Sequence, residues 1–283
     1  MDLQNKPQRD IAERNVKSMK KLFLCFMIMC FALLSACSNN DSRIQQIRAR
    51  NNGAGELRVG VKMDVPGFGY LNPQTRELEG LEIDLAHAIA EMMLGRKNVV
   101  QFVPTTGMTK EALLTNEKVD LVIGTYTITE ERRNIVNFSR PYYTDEIGFL
   151  VLKDSEIRKI DDFSGKTVGV TRASTAFSAF DNNPKLIGGN ATLQAYASYP
   201  EILNALLNGN IDVFSADKSI LTGYRNDKTV MLGDGIQPQP YGIGSILSDK
   251  VFAKEVDRML GKLIEDGTLS KILAKWLSSP TKN

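Results

Sequence analysis

The sequence has very few residues suited to thiol or metal chemistry. Three of its 283 residues are cysteines, Cys25, Cys30 and Cys37, and the single histidine is His87. The chain after Cys37 therefore holds no thiol for a disulfide, a thiolate metal site or a cysteine nucleophile. One histidine excludes a histidine-rich metal site and argues against a Ser-His catalytic pair. We accordingly expect neither a cofactor nor a bound metal.

An excess of charge of one sign is also missing, as are the common motifs of nucleotide-binding proteins and metalloproteases. The 35 lysines and arginines nearly balance the 33 aspartates and glutamates, which leaves a net charge of +2. Such a balance gives no indication of nucleic acid as a partner. No Walker loop, no GxGxxG and no HExxH occurs. The hydrophobic content of 42% is ordinary for a globular protein.

The first feature that is present is a secretory signal. Residues 19–36 begin with Met19-Lys20-Lys21, continue as an apolar run and end in small residues. The run is shorter than the ~20 residues that a membrane-spanning helix needs. Its end, Leu34-Ser35-Ala36-Cys37, resembles the lipobox of bacterial lipoproteins, which implies cleavage before Cys37 and acylation of its thiol. We therefore expect an extracytoplasmic, membrane-anchored lipoprotein of a bacterium, on the cell surface or the periplasmic side.

The remainder of the chain is interpreted as an extension, a tether and two lobes. Residues 1–18 are assigned to a mis-assigned upstream start, with a long leader as the alternative, and residues 37–55 to the lipidated cysteine and a polar tether. Strand and helix patterns then alternate in two runs, which is typical of α/β lobes with mainly parallel sheets. We expect lobe 1 to comprise residues 56–144 plus 240–283, and lobe 2 residues 145–239.

Polar residues of both charge signs follow the predicted strands. In open α/β sheets, ligands bind beyond the carboxyl ends of the strands, so these residues are candidates for a site. An arginine such as Arg132 can hold a carboxylate through two parallel hydrogen bonds, helped by the N–H groups of a helix N-terminus. An aspartate such as Asp217 can accept an ammonium group. The pattern indicates a small zwitterion in a cleft between the lobes.

Three sequence blocks carry a resemblance to a known family. They are Gly80-Leu81-Glu82-Ile83-Asp84-Leu85-Ala86, the stretch DLVIGTYTITEERR at 120–133, and Phe138-Ser139-Arg140-Pro141-Tyr142-Tyr143. Together they resemble the family 3 extracellular solute-binding proteins, the polar amino-acid receptors of ABC importers. The resemblance implies an α/β fold of two Rossmann-like lobes joined by a two-segment hinge, periplasmic-binding-protein type II. It also implies a monomer, not an enzyme, that closes around an amino acid and delivers it to an ABC permease in the membrane.

The same resemblance implies ten ligand-binding residues: Lys62, Lys110, Thr125, Thr127, Arg132, Ser174, Thr175, Tyr199, Asp217 and Tyr241. Arg132 would bind the ligand α-carboxylate, helped by Thr127 and by the start of the second lobe's first helix. Asp217 and the Thr125 region would bind the α-ammonium. Lys62 would lie at the side-chain end of the pocket, as in members that bind acidic amino acids, and Lys110 falls where some of those members carry arginine.

Charge pairing favours an acidic ligand, glutamate or aspartate. A buried ion without a partner is costly, so a Lys62 that faces a closed cleft needs an anion, which glutamine does not supply. The pair Thr106-Gly107 also lacks the aromatic side chain that glutamine receptors of the family stack on the ligand. The pair Arg172-Ala173 stands where a glycine-containing turn is common, which puts the details of the carboxylate site in doubt.

Other interpretations stay open at this stage. The ligand could be glutamine, asparagine or another polar amino acid. The protein could be a cyclohexadienyl-dehydratase-like enzyme on the same fold, for which Glu82 and Glu131 are available carboxylates. Asp217 could instead cap the helix that follows it, and Lys62 or Lys110 could be ordinary surface charges.

Overall fold

The computed structural model describes residues 42–277, so the predicted signal and the Cys37 lipidation site lie outside the described residues. The strands are β1 (Leu57–Val61), β2 (Asp64–Val65), β3 (Gly69–Leu71), β4 (Leu78–Glu79), β5 (Val100–Pro104), β6 (Leu121–Val122), β7 (Val136–Phe138), β8 (Tyr143–Leu152), β9 (Thr167–Thr171), β10 (Thr192–Tyr196), β11 (Val213–Asp217), β12 (Thr229–Met231), β13 (Ile236–Tyr241) and β14 (Gly244–Ile246). The α-helices are α1 (Arg43–Ala49), α2 (Leu81–Leu94), α3 (Lys110–Thr115), α4 (Glu130–Arg133), α5 (Thr175–Asn182), α6 (Tyr199–Leu207), α7 (Lys218–Tyr224), α8 (Lys250–Glu265) and α9 (Thr268–Leu277). Within this part of the chain, no helix has both the length and the apolar character needed to cross a bilayer.

Two sheets organise the chain. The first has the strand order β5-β1-β6-β14-β7, with β5, β1 and β6 parallel and β14 antiparallel to both of its neighbours. The second has the order β10-β9-β11-β8-β12, with β10, β9 and β11 parallel and β8 antiparallel to β11, β12 and β13. The sheets are thus mixed rather than mainly parallel. Strands β8 and β14 each arrive from the other sheet without a crossover helix, and they therefore run opposite to the parallel strands.

The chain passes between the two sheets twice, through residues 139–142 and 242–243. These crossing segments are bonded to each other. The Tyr142 N–H donates to the carbonyl of Tyr241 at 2.9 Å, and the Ile243 N–H donates to Ser139 Oγ, also at 2.9 Å. Beyond them β8 and β13 continue as an antiparallel pair. Any movement of one sheet against the other must therefore be absorbed near these two short segments.

The apolar residues between positions 82 and 94 recur at helical spacing and predict a helix, which α2 confirms; most of its apolar side chains are buried. Gly80 precedes this helix at φ +132°, and a Cβ there would collide with the carbonyl of Phe68, so only glycine fits. Two elements that the residue pattern predicts differ from the structure. Residues 129–135 predict a helix with Thr129 as its N-cap, and the helix is the single turn α4. Residues 241–247 predict a strand, which is interrupted between β13 and β14, where the chain crosses.

Part of the expected tether is packed on the domain. The Arg48 guanidinium donates to the carbonyl of Met93 at 3.0 Å. Arg50 forms an ion pair with the buried carboxylate of Asp120, including a 2.9 Å bond to Oδ1. Ile47 is fully buried. The residues from Ile47 onward therefore belong to the folded structure, because their arginines find acceptors on it.

Candidate functional site

A cavity lies between the two sheets. It is lined by Lys62, Thr106, Gly107, Met108, Lys110, Thr125, Thr127, Arg132, Thr171, Arg172, Ala173, Ser174, Thr175, Ala176, Ala197, Tyr199, Ala216 and Asp217. Nine of the ten residues expected to bind ligand are in this set. The tenth, Tyr241, is fully buried behind the cavity, where its hydroxyl donates to Asp217 and its backbone forms a β-bridge with Thr127. The structure thus brings the predicted residues to one place, while their roles toward a ligand stay a prediction.

Contacts across the cavity mouth hold the two halves together. The Tyr224 hydroxyl donates to the carbonyl of Asp64. Arg132 Nη2 donates to the carbonyl of Ala173 at 3.3 Å. Each contact joins a residue between positions 56 and 144 to one between positions 145 and 239, so the structure represents a closed arrangement.

The Arg132 guanidinium is fixed by its own helix turn. Thr129 caps α4 by accepting the Arg132 N–H at 3.2 Å. Arg132 Nη1 then donates to the carbonyl of Thr127 at 2.8 Å, and its Nε lies 3.8 Å from a carboxylate oxygen of Glu111. Its side chain is only 12% exposed. A guanidinium oriented in this way can present a pair of donors to a carboxylate.

The start of α5 faces the cavity from the second sheet. Ser174 Oγ caps the helix by accepting the Phe177 N–H at 3.1 Å. The first two N–H groups of a helix, here those of Thr175 and Ala176, have no acceptor within the helix and remain available to an anion. Ala173 precedes the cap at φ +55°, in the left-handed region that favours glycine. The turn before α5 is therefore formed by an alanine under backbone strain.

Asp217 ends β11 and precedes α7, yet its side chain makes no capping hydrogen bond. Instead its Oδ2 accepts a hydrogen bond from the Tyr241 hydroxyl. Burial raises the pKa of Asp217 to about 7, with the nearby Asp145 carboxylate adding to the increase and the Tyr241 hydrogen bond opposing it. The capping alternative is thus not realised. The carboxylate is held in the cavity wall, where an ammonium group would stabilise its charged form.

Two buried lysines complete the cavity, and they differ in their partners. Lys62 Nζ lies 3.0 Å from Asp64 Oδ1 and 5.0 Å from the centre of the Tyr199 ring. Lys110 is 5% exposed, and its Nζ lies 4.3 Å from the centre of the Tyr126 ring. Within residues 42–277, Lys110 has no ion pair and no side-chain hydrogen bond. Both lysines are therefore buried in the cavity wall, and neither is an ordinary surface charge.

The environment of Lys110 disfavours its charge. Burial lowers its pKa well below the usual range, and the positive charges of Arg132 and Lys62 lower it further. Lys110 is also the first residue of α3, where the helix dipole opposes a cation. The charge of Lys110 therefore does not stabilise the helix, whereas an anion bound in the cavity would stabilise that charge.

Four residues outside the ten expected ligand contacts also shape the site. Asp64 neutralises Lys62, Tyr126 lies under both Lys110 and Arg132, Thr171 lines the wall, and Glu82 is buried behind it. Asp64, Tyr126 and Thr171 were among the polar residues that follow predicted strands, but no role toward a ligand was assigned to them. Glu82 lies at the start of α2, and its position behind the wall depends on the tertiary structure. Of the carboxylates considered for catalysis, neither Glu82 nor the exposed Glu131 lines the cavity.

Comparisons with known proteins identify the family. Residues 57–279 match the family model for bacterial extracellular solute-binding proteins, family 3. The chain is 31% identical over 271 residues to the ABC transporter glutamine-binding protein GlnH of Bacillus subtilis (strain 168), covering 92% of this chain and 98% of that one. It is 33% identical to a glutamine-binding protein of Geobacillus stearothermophilus, over 77% of this chain and 82% of that one. It is 27% identical to the glutamate-binding protein GluB of Corynebacterium glutamicum, over 86% of this chain and 84% of that one.

Solved structures share the fold. An ancestral arginine-binding protein bound to arginine superposes with a TM-score of 0.71 at 31% identity, covering 78% of this chain and 98% of that one. The ancestral amino acid-binding protein AncCDT-1, a precursor of cyclohexadienyl dehydratase, gives a TM-score of 0.73 at 29% identity, covering 83% of this chain and 99% of that one. The predicted fold class, two α/β lobes of the periplasmic-binding-protein type II, is confirmed. Taken with the match over residues 57–279, this shows that the chain belongs to the bacterial extracellular solute-binding proteins, family 3.

Proposed function

We propose that this protein is the extracytoplasmic receptor of an ABC importer and that its ligand is an acidic amino acid, L-glutamate or L-aspartate. A receptor for polar amino acids is the function that its relatives share. The single observation that favours the acidic ligand is Lys110. It is a buried lysine in the cavity wall with no ion pair among the described residues.

Charge pairing with a ligand proceeds group by group. Arg132 and the start of α5 would take the α-carboxylate, and Asp217 the α-ammonium. Lys62 already has Asp64 at 3.0 Å. An acidic side chain would then neutralise Lys110, whereas an amide would leave this lysine buried and unpaired, or force it to lose its proton. The argument for an acidic ligand therefore rests on Lys110 more than on Lys62.

The proposed mechanism is hinge closure without covalent chemistry. We infer that residues 56–144 with 240–283 move as one lobe and residues 145–239 as the other, about the crossing segments 139–142 and 242–243. A ligand that contacts both lobes binds the closed state better and so increases its population. Acylation at Cys37 would keep a monomeric receptor close to its permease in the membrane. Mass spectrometry of the protein purified from membranes tests the anchor, since a lipid-free Cys37 would contradict it.

Calorimetric titration of the purified protein in detergent tests the ligand. The protein is first unfolded and refolded to remove any bound amino acid. L-glutamate, L-aspartate, L-glutamine and L-asparagine are then titrated in turn. We expect the acids to bind at least tenfold more tightly than the amides, which corresponds to about 1.4 kcal/mol. Equal or tighter binding of the amides would reject the acidic ligand.

Glutamine is the second candidate, because two of the relatives reported above are glutamine-binding proteins. It requires that Lys110 be neutral in the complex. The alternative of a dehydratase-like enzyme would need a general acid facing the cavity, and Asp217 is the carboxylate that lines it. Release of a product from a prephenate-like acid would favour that alternative.

A further inference from the structure

We propose that Glu82 is a positioning residue, whose buried carboxylate holds the strained turn at Thr125 against the first crossing segment and so sets the geometry of the amino-acid site. The inference rests on the proposed function, because the site that it concerns is the proposed ligand cavity. Glu82 is the second residue of α2, and its side chain is fully buried. It does not line the cavity, so any effect on the ligand must pass through another residue.

One oxygen of Glu82 joins two parts of the molecule. Its Oε1 accepts the Thr125 N–H at 2.5 Å and the Tyr142 hydroxyl at 2.6 Å. Thr125 lines the cavity, whereas Tyr142 belongs to the crossing segment 139–142. The second oxygen, Oε2, has no hydrogen-bond partner among the described residues. The carboxylate is therefore held entirely by these two donors.

The Thr125 turn needs such a partner. Thr125 has φ +41°, in the left-handed region where a residue with a side chain is strained. The turn is also bonded to the second crossing segment, because the Gly242 N–H donates to the carbonyl of Tyr126 at 3.1 Å. Thr127, two residues after Thr125, accepts a hydrogen bond from the Arg132 guanidinium through its carbonyl. A shift of the backbone at Thr125 would therefore also displace the cavity wall, the carbonyl that holds Arg132 and both crossing segments.

Burial of a carboxylate without a cation in contact is energetically unfavourable. Burial raises the pKa of Glu82, although the two hydrogen bonds and the charges of Lys110 and Lys62 oppose the increase. An apolar side chain in the same space would avoid this desolvation, but it would leave the Thr125 N–H and the Tyr142 hydroxyl without an acceptor. The placement is thus explained by what the carboxylate holds in position.

A double-mutant cycle tests the proposal with the full-length protein in detergent. L-glutamate and L-glutamine are the titrated probes. We expect Glu82→Leu to weaken binding of the tighter probe at least tenfold, and Glu82→Gln, which keeps one carbonyl oxygen as acceptor, to stay within about threefold of the unmodified protein. Glycine adopts positive φ without strain, so Thr125→Gly should remove most of the penalty of Glu82→Leu. Equal penalties in both backgrounds would overturn the proposal.

Hydrogen exchange supplies a readout that does not depend on a ligand. We expect the Thr125 amide to exchange at least tenfold faster in Glu82→Leu and to keep its protection in Glu82→Gln. Tyr142→Phe, which removes one donor only, serves where Glu82→Leu does not fold, and it should accelerate the same amide. Unchanged protection in these variants would reject the role of Glu82. Failure of the unmodified protein to bind any of L-glutamate, L-aspartate, L-glutamine and L-asparagine would instead reject the proposed function, and the exchange data would still decide on Glu82.

Discussion

Replacing Lys110 by methionine is the most direct test of the proposed ligand class. Methionine keeps most of the side-chain length but carries no charge. If an acidic side chain pairs with Lys110, the variant leaves that carboxylate buried without a cation, which costs about 3–5 kcal/mol. At 1.4 kcal/mol per tenfold, glutamate affinity should fall by roughly two to three and a half orders of magnitude. Glutamine affinity should stay the same or rise, because an unpaired buried cation has been removed.

Calorimetric titration with L-glutamate and L-glutamine measures both affinities. Lys118→Met is the matched control, because Lys118 lies just beyond α3 in the same lobe and is exposed. We expect the control to bind both amino acids like the unmodified protein. Circular dichroism establishes that both variants are folded. The reasoning is refuted if folded Lys110→Met binds glutamate within threefold of the unmodified protein, or if it loses glutamate and glutamine equally.

Three further predictions concern the same cavity. Arg132→Lys keeps the charge but loses the paired donors, so it should weaken the binding of every amino acid by about 1.5–3 kcal/mol in a calorimetric titration. Weaker binding of the acidic amino acids alone would contradict the role of Arg132 toward the α-carboxylate. The affinity for glutamate should fall as the pH drops through about 7, because protonation of Asp217 removes the acceptor of the ligand ammonium group. It should also fall as the pH rises through the lowered pKa of Lys110, because this lysine then loses its charge. An affinity that does not change with pH would contradict both assignments. Tyr241→Phe removes the hydrogen bond that opposes the raised pKa of Asp217, so the acid limb of this profile should move to higher pH, and a shift to lower pH would be inconsistent with that contact.

Periodic and motif-based features were predictable because they depend on local chain geometry. Helix α2 follows from its apolar spacing, and the Thr129 cap follows from the residue types that begin a helix. The short antiparallel sheet formed by β2, β3 and β4 was not predicted. Its strands have only two or three residues, which is too few for an alternating pattern to be recognised.

The charge argument shows the limit of sequence reasoning within the site. Lys62 appeared to be the cation in need of an anion, but Asp64 lies within 3.0 Å of it. Lys110, which seemed as much a helix-surface charge as a ligand residue, is the buried lysine with no ion pair among the described residues. A sequence cannot tell these cases apart, because the pairing depends on where each side chain ends in space.

The sequence by itself indicated the fold class, the family and nine of the residues that line the cavity. The fold class follows from the alternation of strand and helix patterns, whereas the family and the nine residues follow from the resemblance carried by three sequence blocks. Only the tertiary structure decided how the charges are partnered, that Asp217 bonds to Tyr241 rather than capping α7, and that Glu82 supports the Thr125 turn. The contacts of Asp217 and Glu82 join residues 24 to 60 positions apart. They depend on burial and distance, which arise only when the sheets are assembled and water is excluded.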